Sequence, residues 1–274
     1  MNYYTELLYS GMKIQYVSDL HLEFRSVEQI PRLLKNINAD ILILAGDISA
    51  VSYDVEYKKL ITFLQYYCSK YKYILAVSGN HEYYTNNSTK ENCMDAINQK
   101  LKVLTKKFPN YLYLNCNTVT LEINKKKYMF IGATLWTKID LKNYKYVNSN
   151  MNDYNMIYVN KNNDIKGYTV HEMQYLHTRH KHFIKKALEK IPSNTTVVLI
   201  THHKPILEGE NKDILNQAYE VDMSKVITPA VKVAIHGHTH SSYRKVINNT
   251  LYVSNPKGYP NERTGFKDDA FIDV

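Results

Sequence analysis

Long apolar runs are missing from this 274-residue chain. None approaches the roughly 18 consecutive apolar residues that a membrane-crossing helix needs, so no membrane span is expected. Cysteine is scarce: Cys68, Cys93 and Cys116 are odd in number and far apart. They form neither a disulfide framework nor a zinc knuckle, which points to a reducing, intracellular setting and a cytoplasmic protein. Met1 to Ser10 lacks a basic patch followed by an apolar core, so no secretory leader is expected there. Residues 1–11 read as a short N-terminal extension. Internal repeats, low-complexity tracts and linkers are also absent, which leaves residues 12–274 as one domain with room for a sizeable core. Glycine is sparse as well, at nine residues, so where each one falls is informative.

Positive charge and tyrosine are plentiful, with a formal net charge of +9 and 25 tyrosines. Stretches such as Lys142-Asn143-Tyr144-Lys145-Tyr146 and Lys125-Lys126-Lys127-Tyr128 could form a nucleic-acid footprint. The chain is equally rich in Lys, Asn, Ile and Tyr throughout, as AT-rich coding produces. The compositional reading is therefore preferred, and only a modest field favouring anionic substrates is kept.

Several short apolar segments end in polar clusters. Met12 to Val17 runs into Ser18-Asp19-Leu20-His21, Ile41 to Leu44 into Ala45-Gly46-Asp47, and Tyr73 to Val77 into Ser78-Gly79-Asn80-His81-Glu82. Further on, Thr196 to Ile200 is followed by Thr201-His202-His203-Lys204-Pro205, and Val231 to Ile235 by His236-Gly237-His238-Thr239-His240. Strands that stop at ligand-type residues put those residues at the carboxyl edge of a sheet, where sites in α/β folds form. Helices are expected over Val27 to Ile37, Glu56 to Tyr67, Glu91 to Phe108 and Val170 to Lys190. Tyr111 to Leu114, Thr118 to Ile123 and Tyr128 to Ile131 read as turn-linked strands of a second, more antiparallel sheet, and Lys245 to Val253 as a hairpin around Asn248-Asn249. Residues 137–166 and 206–226 read as long loops.

Mixed Asp, Asn and His donors suit Mn²⁺, Fe or Zn²⁺ rather than Ca²⁺ or a structural zinc. Gly46, Gly79 and Gly237 each directly precede a candidate ligand, and glycine is expected there for positive φ and close backbone approach. The ordered set Asp-x-His, Gly-Asp, Gly-Asn-His-Glu, His-His and Gly-His-Thr-His resembles the calcineurin-like metallophosphoesterase family, from residue 13 to about residue 258. The resemblance implies a four-layer αββα sandwich of two mixed β-sheets flanked by helices, holding two divalent metal ions at the strand ends. By that analogy Asp19, His21 and His240 hold one metal, Asn80, His202 and His238 the other, and Asp47 bridges them.

The implied activity is phosphoester hydrolysis, with phosphodiesters of nucleotide-like or other small type ahead of monoesters. Two metals about 3.5–4 Å apart generate a bridging hydroxide that attacks phosphorus, and His81 protonates the leaving oxygen. Members of the family often orient that histidine with an aspartate just after Gly-Asp. Here Ile48-Ser49-Ala50 follows, leaving Asp54 or Glu82 as stand-ins. His203 is expected near substrate or behind the ligands, His236 as a packed supporting residue, and Arg25 as a candidate phosphate contact. Trp136, Asn152-Asp153-Tyr154 and Asn255 to Tyr259 resemble pocket segments of bacterial-type members. His171, His177, His180 and His182 are expected to face solvent; the second histidine of a His-Glu-x-x-His site is replaced by Tyr175, so a zincin is rejected. A nuclease and a metal-free interaction scaffold of the same fold are the alternative readings. The filled ligand positions argue against the scaffold.

Overall fold

Ile41–Ala45 illustrates how the chain builds its layers: all five residues are buried, because the strand is covered on both faces. Leu42 and Leu44 turn to one side and pack with the first helices, whereas Ile41, Ile43 and Ala45 turn to the other and pack against a second sheet. The computed structural model describes residues 11–207 and 213–274. Most of the proposed extension at residues 1–11 therefore lies outside the described residues, as does part of the loop at 206–226.

Strands β1 (Lys13–Val17), β2 (Ile41–Ala45), helix α1 (Asp54–Tyr67), β3 (Tyr73–Val77), α2 (Met94–Lys107) and β4 (Tyr111–Tyr113) follow one another in βαβ fashion. Next come β5 (Asn117–Ile123), β6 (Lys126–Ala133), α3 (Tyr144–Asn150), α4 (Asp153–Met156), β7 (Tyr158–Lys161), β8 (Asp164–Gly167) and α5 (Val170–Leu188). The chain finishes with β9 (Thr195–Thr201), β10 (Val231–His236), β11 (Tyr243–Ile247), β12 (Thr250–Ser254) and β13 (Phe271–Asp273). One sheet has the order β13-β1-β2-β3-β4 and the other β11-β12-β10-β9-β6-β5. Their inner faces meet in a shared core in which Ile14, Ile43 and Leu75 pack with Phe130, Ile200 and Ile235. Outside the first sheet, Phe63 and Leu64 of α1 and Ile97 and Leu101 of α2 close one apolar layer. Outside the second, Ile184 and Ala187 of α5 close another over Ile131 and Leu199. This is the four-layer αββα sandwich.

The second sheet is less antiparallel than its sequence suggests. Strands β6, β9, β10 and β12 run parallel, and only the edge strands β5 and β11 are reversed. Short tight turns created the impression: Asn124-Lys125 and Asn248-Asn249 both sit at positive φ, the geometry of two-residue hairpins. The helix expected over Val27 to Ile37 is a 3-10 segment, Val27–Arg32. Pro31 lies inside it and cannot supply the N–H that an α-helix would need there. Residues 137–166 are not one loop. They hold α3, α4 and the hairpin β7–β8, whose turn residues Asn162 and Asn163 again take positive φ. The core thus brings the carboxyl ends of β1, β2 and β3 from one sheet beside those of β9 and β10 from the other.

Candidate metal centre

Each of those five strands is followed at once by candidate ligands, and the backbone there is strained. Asp19, His21, Asp47, His238 and His240 all lie at positive φ, between 46° and 68°. An L-residue held there costs roughly 1 kcal/mol or more, and such conformations persist only where surrounding structure enforces them. Amide contacts do so here: Asp19 N–H donates to Gly46 O at 2.9 Å, His21 N–H to Asp47 O at 3.1 Å and Gly237 N–H to His202 O at 2.9 Å. Of the three motif glycines only Gly46 has positive φ, at 85°. Gly79 and Gly237 are required for closeness instead. A Cβ at Gly79 would stand 2.2 Å from Asp47 Oδ1, and one at Gly237 2.7 Å from Asp19 Oδ2. The ligands themselves, rather than these two glycines, make the sharp turns.

Seven side chains converge as two neighbouring groups. In the first, His21 Nε2 and His240 Nε2 are 3.2 Å apart, and His240 Nε2 is 3.3 Å from Asp19 Oδ1. In the second, His202 Nε2 lies 3.3 Å from Asp47 Oδ2 and 3.1 Å from both Asn80 Oδ1 and His238 Nδ1. The outer nitrogens of three of these rings are committed. His21 Nδ1 faces Glu23 Oε1 at 3.0 Å, His240 Nδ1 faces Glu262 Oε2 at 2.7 Å, and His202 Nδ1 faces Ala45 O at 2.9 Å. A carbonyl or an ionised carboxylate only accepts, so each Nδ1 carries a proton, and Nε2 is the atom that faces inward and can bind a metal once its own proton has left. Asn80 Nδ2 likewise donates outward, to Asp153 Oδ1 and Tyr84 Oη, both at 2.9 Å, which turns its oxygen toward His202. Potential metal-donor atoms therefore meet at two points. Such a set fits a divalent cation at each point.

The electrostatics carry the same demand. Burial opposes charge on His202, yet the Asp47 carboxylate, with Asp19 behind it, raises the imidazole to about 10. Burial is likewise outweighed at His240, where Asp19 and Glu262 raise the ring to about 9. Asp47 is buried too, but His202, His81 and His21 hold its carboxyl well below the usual range. Without cations, protons on the histidines balance the carboxylates.

The family comparison decides what kind of centre this is. Residues 12–242 match the model of the calcineurin-like phosphoesterases. The chain belongs to that family. It is a metal-dependent phosphoesterase. A protein of Acanthamoeba polyphaga mimivirus, uncharacterized protein L509, is 30% identical over 281 residues, covering 95% of this phosphoesterase and 96% of its own length. Among solved structures, the phosphopantetheinyl hydrolase of Mycobacterium tuberculosis aligns with a TM-score of 0.67 at 13% identity, over 97% of this chain and 96% of that one. TT1561 of Thermus thermophilus aligns with a TM-score of 0.53 at 10% identity, over 91% and 90% of the two chains. At these identities the two structures establish the shared fold.

Around the metal centre, the phosphoesterase departs from several expectations. Neither Asp54 nor Glu82 reaches the His81 ring. Asp54 is exposed in the first turn of α1. Glu82 is buried behind the ligands and accepts the N–H groups of Asp47 at 3.0 Å, Ile48 at 2.7 Å and Gly79 at 2.6 Å. Burial and the Asp47 charge push the Glu82 carboxyl up to about 7 against those bonds. The carboxylate on His81 is Glu23, whose Oε1 meets His81 Nδ1 at 3.0 Å while also holding His21. Burial raises Glu23, but the two imidazoles prevail and bring it to about 2. Its signal was present in the alternation Asp19-Leu20-His21-Leu22-Glu23. Glu262 on His240 carried no such signal, since it comes from a loop 22 residues downstream.

His203 is fully buried between Trp136 and His238 and does not reach the cleft. His236 is buried against Tyr243. Arg25 donates to Gly258 O at 2.6 Å, securing the loop that carries Tyr259 instead of lining the cleft. On α5, His171 and His182 are not buried, but His177 and His180 are. They share a buried face with Met173, Ile184 and Ala187; His177 Nδ1 meets Trp136 O at 2.8 Å, and His180 Nδ1 accepts the Leu135 N–H at 3.0 Å.

Two outcomes are expected. In protein stripped of metal, the raised folded-state values of His202 and His240 contribute stability that is fully present below their unfolded value, roughly 6.5. That stability is lost as pH rises through about 9 to 10. Melting temperature of the stripped protein should therefore fall from pH 7 to pH 10, and added Mn²⁺ should abolish most of the fall; a flat profile without metal would contradict it. Glu82→Ala strands three buried N–H groups and should cost on the order of 3 kcal/mol in urea unfolding.

Proposed function

We propose that this phosphoesterase hydrolyses small phosphodiesters, nucleotide-type esters among them, with two divalent ions, Mn²⁺ in first place and Fe or Zn²⁺ as alternatives. Asp19, His21 and His240 would hold one ion, Asn80, His202 and His238 the other, and Asp47 would bridge them. The observation that carries the reading is the pair of points at which inward-facing ring nitrogens converge with carboxylate and amide oxygens. When bound, such ions neutralise phosphoryl oxygens and acidify water.

The chain's own residues supply the rest. The cleft over the ligands measures about 350 Å³, and among the described residues neither lysine nor arginine lines it. The diester reading draws on that lack of lysine and arginine, since neither is there to pair with the additional charge of a dianionic monoester. Tyr84, Tyr219 and Tyr259 supply aromatic faces around that cleft, suited to stacking a base. Asp47 Oδ1 accepts the His81 N–H at 2.8 Å and so fixes the acid beside the bridging carboxylate. Glu23 holds His81 Nδ1, which leaves Nε2 facing the cleft, 3.0 Å from Tyr259 Oη. Burial alone would keep His81 neutral, but Asp47, Glu23 and Asp153 raise its pKa, so it can hold the proton the leaving oxygen needs.

Residues 12–274 are proposed to work as one unit, since ligands come from both sheets across one core. An intracellular, reducing location is supported by three free cysteines.

His81→Ala should lower kcat by roughly 10²–10⁴ on alkyl esters while two metals per chain remain bound. The loss should shrink with 4-nitrophenyl esters, whose leaving group needs no proton. Asp47→Asn should abolish hydrolysis of bis(4-nitrophenyl) phosphate in Mn²⁺ and reduce metal content; full turnover by that variant would exclude the two-metal mechanism.

A further inference from the structure

On the far side of His81 from the metal ligands lies a second and larger pocket, of about 830 Å³. His81, Tyr84, Asn152 and Tyr259 belong to the walls of both this pocket and the metal cleft, so the two adjoin at the His81 ring, with the His81 Nε2–Tyr259 Oη contact of 3.0 Å on their boundary. Beyond that shared boundary Phe24, Ala50, Tyr53, Val55, Met156 and Pro260 form its walls together with Glu23 and Glu56. Phe24 and Val55 are 52% and 64% exposed and lie on the same pocket wall. The size falls in the range of pockets for small molecules.

We propose that this pocket receives the leaving alcohol of the phosphodiester, and that this alcohol is an apolar alkyl or aryl group. The inference rests on the phosphodiesterase reading above. Position argues for the leaving side: a group bonded to phosphorus over the metals, and reaching this pocket, must pass its ester oxygen by His81 Nε2. Charge argues for apolar chemistry. Among the described residues, the only charged lining groups beyond His81 are Glu23 and Glu56. Glu23 is engaged by His21 and His81, and Glu56 lies 2.9 Å from Lys59 Nζ. No described lysine or arginine lines the pocket to meet a second phosphate, so diphosphate-type leaving groups are disfavoured there. Ring faces and methyl groups remain as the surface offered to a ligand. In the reaction the P–O bond to this alcohol breaks, water adds its oxygen to phosphorus, the His81 proton ends on the departing oxygen, and the proton released by the water is returned through solvent to His81.

The test is a series of methyl 4-alkylphenyl phosphates in Mn²⁺, in which the aryloxide leaves and its acidity hardly changes with chain length. Each added methylene should raise kcat/KM about threefold, so the 4-butyl ester should exceed the 4-methyl ester by roughly 30-fold. Val55→Asp places a charge on the pocket wall at the first turn of α1, where an acid is compatible with the helix dipole. It should bring the butyl-to-methyl ratio down to within about threefold of one, and Val55→Leu should retain the dependence. Because the ratio is taken within each variant, repulsion of the shared phosphate cancels. A flat series in the native enzyme, or a slope untouched by Val55→Asp, overturns the pocket assignment alone. Failure to hydrolyse any of these diesters, bis(4-nitrophenyl) phosphate included, overturns the phosphodiesterase reading and the pocket assignment together.

Discussion

Buried carboxylates packed against inward-facing ring nitrogens are the constraint on which the rest of the site depends. His21, His202 and His240 are each oriented with Nε2 inward by what Nδ1 meets outside, and Asn80 is turned oxygen-first by Asp153 and Tyr84. Two buried carboxylates share the same space. Water cannot relieve this repulsion in so enclosed a place, and desolvation makes it costly. Divalent cations relieve it at once. The strained backbone at the ligands is thus the geometry required to aim strand-end side chains at common points, held because metal binding favours the aimed state.

Much of this was legible in the chain. Apolar runs ending in Asp, Asn and His announced the strand ends, and their order announced the family. Fully buried β2 was readable because a strand covered on both faces has no alternation to hide. Other features depended on information the sequence does not hold locally. The edge strands β5 and β11 are joined to their neighbours by tight Asn-containing turns, and hairpins at two edges gave a false impression of the whole sheet. His177 and His180 lie on a helix face whose polarity hid its burial; only the covering segment around Trp136 decides it. Glu262 is fixed by a loop that returns over the site from far downstream, so no spacing rule could find it.

The candidate ligands also do not stand apart from His81, the proposed acid. One oxygen of Glu23 serves the His21 ring and the His81 ring, while Asp47 accepts from the His81 amide. Displacing any of these would move both the candidate ligands and the His81 ring. The apolar pocket beyond His81 gives this arrangement a direction, with charge on one side of the imidazole and hydrocarbon on the other.

Strand β13 pairs with β1, and the loop preceding it brings Glu262 to His240 and Gly258 N–H to Asp19 O. These segments leave the ribosome after every other described strand. The metal centre therefore has a chronology: Asp19 is made well before Gly258, whose N–H it accepts, and before Glu262, which holds His240. Domains fold as units during synthesis, and here the unit closes late. The making of the candidate ligands is thus separated from the making of the site.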